Sequence, residues 1–185
     1  MRRMAIRIGL IAALLTCSAA SYAQSLDSDS SDWVKAAFIF NFAKFVEWPA
    51  GALGPKRSPI VVGVVGNENF ASILDHVVGG KTIDSRGFLI KRMKWGREVR
   101  NCHILFIASS EESHNDELLQ MLKGTSILTI GETPGFAKRG GMIDFILEDG
   151  KVRFEVNLDA AKHENLNISS RLLSLAKIVQ SSVQR

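Results

Sequence analysis

Residues 140–179, GGMIDFILEDGKVRFEVNLDAAKHENLNISSRLLSLAKIV, constrain the fold more than any other stretch. Two apolar runs of strand length, Met142–Leu147 and Val152–Leu158, flank Glu148-Asp149-Gly150-Lys151. Asp-Gly between such runs predicts a β-hairpin, because its tight turn requires backbone with positive φ. In the second run Val152, Phe154, Val156 and Leu158 alternate with Arg153, Glu155 and Asn157, the pattern of a strand with one face buried. Asp144, Glu148, Glu155 and Asp159 are then expected on solvated faces. A helix is expected next, capped by Ser169 or Ser170, with Leu172, Leu175, Ala176, Ile178 and Val179 at helical spacing.

The chain upstream reads as an α/β body that this end closes. Ile60–Val65 is a β-branched run of the kind found in strands buried on both faces. A helix is predicted from Phe70 to Val78, with Asn67 or Asn69 as cap and Gly79-Gly80 as stop. Strands follow at Phe88–Met93, Ile104–Ile107 and Ile127–Ile130, with a helix over Asp116–Lys123 ended by Gly124. This alternation predicts a layered α/β fold with a mostly parallel central sheet, an antiparallel C-terminal hairpin and flanking helices.

The N-terminus reads as a targeting segment. Arg2, Arg3 and Arg7 precede an apolar run from Ile8 to Leu15, and Ser21-Tyr22-Ala23 is an A-x-A-like site. Residues 1–23 are therefore expected to be a signal peptide cut after Ala23. The alternatives are an uncut anchor, for which the apolar run is short, and a lipoprotein processed at Cys17. Residues 24–31 are expected to be a flexible tether and 32–185 a single domain. Without Arg2, Arg3 and Arg7, and with no acidic residue lost, 20 basic side chains face 19 acidic ones, a net charge of +1. No electrostatic case for nucleic acid survives. Cys102 is then the lone cysteine of the processed chain, so no internal disulfide is expected, and its place at the head of an apolar run suggests a buried thiol.

A first helix is predicted from Asp32 to Glu47, with Ser31 or Asp32 as cap and Trp48-Pro49 as stop. Ala36, Ile39, Phe42, Ala43 and Val46 share its core side, flanked by Val34, Phe38 and Phe45. Asn41, Lys44 and Glu47 form a narrow polar stripe opposite, with Trp33, Phe40 and Trp48 beside it. A helix apolar on nearly every side needs cover, from the C-terminal helix or from a partner. With Lys35, Asn41, Lys44 and Glu47 inside it, it is not a membrane span. Trp33, Phe40, Lys44 and Trp48 are thus candidate partner-binding residues.

Catalytic patterns are weak. Gly63-Val-Val-Gly66 lacks the spacing of a dinucleotide fingerprint, and Gly80-Lys81-Thr82 lacks the glycine a P-loop needs at position 75, where Asp75 stands. His76, His103, His114 and His163 have no metal-ligand spacing. Ser169, Ser170, His163 and Asp159 come without a nucleophile elbow. Arg171 opposes the dipole at the start of its helix. It is expected to pair with Glu155 or Glu164 or to be exposed, or else to form a ligand clamp with Asn157 and Ser169. No cofactor, metal or catalytic residue is expected.

Several segments together resemble the YfiR family: Ala37-Phe38-Ile39-Phe40-Asn41-Phe42-Ala43-Lys44-Phe45 with Trp48-Pro49, Cys102-His103-Ile104-Leu105-Phe106-Ile107, Ile127-Leu128-Thr129-Ile130-Gly131, Gly140-Gly141-Met142-Ile143, Phe154-Glu155-Val156-Asn157-Leu158 and Ile168-Ser169-Ser170-Arg171-Leu172-Leu173. The resemblance runs through nearly all of the processed chain. It implies a non-enzymatic periplasmic repressor that binds the periplasmic sensory part of a YfiN-like membrane diguanylate cyclase, lowering cyclic di-GMP and biofilm formation. Some members carry paired cysteines; here Cys102 has no partner, which puts redox control by internal disulfides in doubt. A homodimer without direct membrane insertion is expected. The alternative is a periplasmic small-ligand-binding protein.

Overall fold

The computed structural model describes residues 30–182. The expected signal peptide, its cleavage site and residues 24–29 of the expected tether lie outside them. A first helix, α1, spans residues 30–45, so Ser31 and Asp32 sit in its first turn instead of capping it. It stops earlier than expected because Val46–Glu47 (β1) leaves to pair with Asn167–Ile168 (β8).

The central sheet is built from Ile60–Val65 (β2), Phe88–Met93 (β3), Ile104–Ile107 (β4), Leu128–Gly131 (β5), Ile143–Glu148 (β6), Lys151–Asn157 (β7) and Lys177–Val179 (β9). Their order is β3-β2-β4-β5-β6-β7-β9. The first five run parallel, β7 is antiparallel to β6, and β9 lies parallel to β7. The α/β architecture follows the sequence pattern. The helix Glu68–Val78 (α2) begins where Asn67 accepts a hydrogen bond from the Phe70 N–H at 2.9 Å. Asp149 and Gly150 both have positive φ, as a two-residue hairpin loop requires.

Successive strand residues point to opposite faces, and each face has its own core. On one, α1 and α2 cover Val62, Val64, Ile104, Phe106, Ile143, Phe145, Phe154 and Val156. Phe42 lies 5.7 Å from Phe145 and 5.0 Å from Phe154, ring centre to ring centre, so the hairpin grips α1. On the other, Asn115–Met121 (α3) and the loop after β5 cover Leu105, Ile107 and Cys102. Phe136 is fully buried there between two glycines. A Cβ placed on Gly131 or Gly141 would lie 2.4 or 2.1 Å from its ring.

Two expectations are corrected. The C-terminal helix is only one turn, Ser170–Leu173 (α5), after which the chain straightens into β9. Leu172 is buried, but Leu175 is 68% and Ile178 47% exposed, so no long helix packs across the body. The edge of β7 offers unpaired backbone groups, and the β-branched Ile178-Val179 pair suits it. Second, Asp144 and Glu155 are not solvated but buried. A strand that packs on both faces loses its polar side, and the loop from Glu132 to Gly141 closes over this one. Glu148 and Asp159 are exposed as expected. Leu158 ends the strand and opens a short helix, Leu158–His163 (α4).

The glycine clamp yields a test. Gly141→Ala forces the Phe136 ring to move and should destabilise by about 1–3 kcal/mol. Gly87→Ala, where a Cβ meets nothing within 4 Å, should be tolerated; chemical denaturation compares the two.

Candidate functional site

The side chains expected to bind a partner are spread along α1. Trp33 is 44% exposed and meets the edge of His76 at 5.3 Å; Val34 beside it is 42% exposed. Phe40 is half-buried, 5.7 Å from Phe88, with the Lys81 ammonium 5.0 Å over its ring. Lys44 is exposed above Phe45. Trp48 is half-buried against the main core, its indole N–H buried without a hydrogen-bond partner. The aromatic side of α1 therefore receives part of its cover from Phe88, Lys81 and His76. The open part is its beginning, at Trp33 and Val34.

Asn157, Ser169 and Arg171 have separate occupations. Asn157 is fully buried: its Oδ1 accepts from the Ala160 N–H at 3.0 Å and caps α4, while Nδ2 donates to Ala137 O at 2.7 Å and Ser181 Oγ at 2.8 Å. Ser169 precedes α5 without a side-chain cap bond; its hydroxyl is buried without a partner, and its N–H donates to Phe45 O. Arg171 is exposed and makes no ion pair among the described residues. Glu155 pairs with Lys177 instead, and Glu164 accepts from the Thr125 N–H at 3.0 Å.

A charged cavity escaped sequence reading. It holds about 440 Å³ where the strand order reverses between β2 and β4, with Asn67, Ser109 and Glu132 just beyond the ends of β2, β4 and β5. Ser31, Asp32 and Lys35 of α1 and Phe145 to Leu147 of the hairpin complete its wall. Lys35 Nζ lies 2.7 Å from Glu132 and 3.1 Å from Asp32, and Glu132 also accepts the Ser109 N–H at 3.0 Å. Burial pulls the Lys35 ammonium down, but the Glu132 and Asp32 carboxylates outweigh it, and the net shift is upward. The two acids bracket the fold, 97 residues separating Lys35 from Glu132, so no local pattern announces the pair. The crevice beyond the carboxyl ends of the strands at such a reversal is where α/β sheets commonly hold ligands.

His103, Arg86 and Cys102 have structural roles. His103 Nδ1 accepts the Val61 N–H at 2.9 Å, which fixes the neutral ring; burial, then Arg86 and Lys91, hold its pKa down. Arg86 itself ties four carbonyls, of Leu53, Gly54, Pro55 and Ser58, into the loop before β2. The Cys102 thiol is pushed up to about 12 by burial. Among the described residues no three His, Cys, Asp or Glu side chains gather as a metal site.

Comparison with known proteins gives the context. The YfiR/HmsC-like family profile matches residues 32–177. The chain belongs to the YfiR/HmsC-like family. The match runs from the first turn of α1 to Lys177, so it takes in β1 to β8, the hairpin and the cavity lining except Ser31. The family is regulatory and periplasmic and is tied to cyclic di-GMP signalling. No curated protein is significantly similar in sequence. One solved structure shares the general fold at low identity, and a second is more distantly similar. A conserved domain protein from Vibrio cholerae O1 biovar El Tor superposes with a TM-score of 0.50 at 10% identity over 69% of this chain. An ABC domain in complex with L-Trp from Streptococcus pneumoniae gives 0.49 at 8% identity over 70%. This chain spans 56% and 59% of their respective lengths. No helix among the described residues is long and apolar enough to cross a membrane.

Two outcomes follow. Lys35→Met leaves Glu132 and Asp32 facing each other without their shared cation, and should cost about 1–3 kcal/mol of stability, less than a fully buried pair because the ammonium is partly solvated. Its ion-pair stabilisation is complete below the ordinary lysine pKa of 10.5 and is lost as the pH climbs through the raised folded value. Cys102, a poor nucleophile at such a pKa, should resist alkylation of the native protein at pH 8 and react on unfolding, as thiol titration would show.

Proposed function

We propose that the chain is exported, matures at Gln24 and represses a YfiN-like membrane diguanylate cyclase by binding its periplasmic sensory part, lowering cyclic di-GMP and biofilm formation. The family match over residues 32–177 carries this reading. The basic and apolar start of the sequence supports export. The binding surface is placed on the aromatic side of α1: Trp33 and Lys44 supply exposed contact, and Phe40 and Trp48 the half-buried backing that fixes the helix beneath them. Exposed aromatics over a rigid support are what binding hot spots use. A homodimer is part of the proposal, and sedimentation of the mature chain measures it.

A second reading, binding of a small ligand, is favoured by the Ser169 hydroxyl, buried without a hydrogen-bond partner, and by Arg171 two residues on, exposed and in no ion pair among the described residues. Arg171→Ala would abolish such binding without loss of stability.

The rings differ in what a substitution reports. Phe40→Asp breaks the packing on Phe88 and tests folding. Trp33→Asp removes an exposed ring and should cost less than about 1 kcal/mol. The expected outcome is a folded Trp33→Asp protein that no longer retains the cyclase from solubilised membranes and no longer represses it. A variant that folds and represses like the parent overturns the placement. Mass spectrometry of the exported chain should find Gln24 first; a lipid on Cys17 would contradict the processing.

A further inference from the structure

Asp144 and Glu155 are the least expected pair in the fold. They are register partners in the antiparallel β6–β7 ladder, so their side chains share a face about 5 Å apart at Cβ. Asp144 is fully buried and Glu155 nearly so. Neither Asp144 oxygen has a hydrogen-bond partner of good geometry. Burial pushes its carboxyl up to about 7; the nearby backbone of Ala137 and Phe136 and the more distant Arg139 pull against this, and the Glu155 charge adds to it. Arg139, on the turn Ala137–Arg139, is spent on Pro134 O through Nη1, while its buried Nη2 is unpartnered. Lys177 of β9 reaches Glu155 at 3.1 Å but is largely exposed.

The sheet edge beside Glu155 holds the end of the described chain. Glu155, Val156 and Asn157 pair with Lys177, Ile178 and Val179. Beyond them Asn157 donates to Ser181 Oγ, and Ser182 donates to Lys138 O through both its N–H and its hydroxyl. The segment 177–182 thus runs along the edge of β7 beside Glu155, as a three-residue edge strand followed by two polar clasps.

We propose that Asp144, buried opposite the Glu155 carboxylate, keeps its proton in the native fold, and that its loss to water loosens residues 177–182 from β7 and the Ala137–Arg139 turn, making the C-terminal segment a pH-sensitive latch. Two facing carboxylates cannot both ionise without water or a counter-charge. Lys177 attracts the doubly charged pair, but an exposed ammonium is screened and cannot offset the lost hydration. Water enters most readily beside Glu155, by lifting the edge segment, because short edge strands open at the least cost. The sign follows from a folded-state pKa above the ordinary carboxylate value: stabilisation is complete at acid pH and lost as the pH climbs through about 7. The latch does not depend on what the protein binds.

The test is an NMR titration of the mature chain from pH 5.5 to 8.5, with hydrogen exchange corrected for intrinsic rates. In the parent protein the amides of Lys177, Ile178 and Val179 should titrate with a midpoint near 7, and exchange there should rise about tenfold over the range. Asp144→Asn should abolish both changes. Glu155→Gln should lower the midpoint, since the Glu155 charge raises it, and it decides the question if Asp144→Asn does not fold. His163→Gln, a substitution outside the Asp144–Glu155 pair, should leave the titration intact. Absence of the titration in the parent, its persistence in Asp144→Asn, an unmoved midpoint in Glu155→Gln, or its loss in His163→Gln would each overturn the latch.

Discussion

The contact of Phe42 with Phe145 and Phe154 is the interaction on which the rest of the structure depends. Without it the hairpin would be a two-stranded extension with an apolar face in water, and α1 a helix too apolar for any surface. Each buried phenylalanine contributes about 1.5–3 kcal/mol by leaving water, and each aromatic pair about 0.5–1.5 kcal/mol more. Phe38 adds a further edge contact on Phe154 at 5.2 Å. The cluster joins the first and last thirds of the described chain, and Lys35–Glu132 and the β1–β8 pair extend that join at either end of α1.

Much of this was legible locally. Ala36, Ile39, Phe42 and Ala43, placed on one side of α1 by spacing alone, are all buried, and so is Val46, which the same spacing put with them but which opens β1. The Asp149-Gly150 turn, the Asn67 cap and the parallel strands follow the same short-range rules. What failed was whatever depends on cover from afar. Ile178 and Val179 fit a helical spacing but became a strand because β7 had a free edge. Asp144 and Glu155 alternate like solvated residues but are buried because the Phe136 loop folds back over them. That loop packs so closely because Gly131 and Gly141 leave room for the ring, a fact visible only once three separated residues meet. The candidate site divides in the same way. The aromatic side of α1 was readable from periodicity, while its partial cover by Phe88, Lys81 and His76 and the cavity around Lys35 were not.

These features describe a protein whose distinctive chemistry lies in its surfaces and in buried charge. The YfiR/HmsC-like fold presents Trp33 and Val34 at one end of α1, and the charged cavity opens near the same first turns. The C-terminal segment runs along the edge of β7, beside Glu155.

The central claim, regulation of cyclic di-GMP from the periplasm, is tested most directly by deleting the gene and restoring it with or without residues 1–23 while measuring cellular cyclic di-GMP. The account predicts that the level rises on deletion, falls with the full-length chain and stays high with the form lacking the export segment. An unchanged level on deletion, or full restoration by the unexported form, would contradict it.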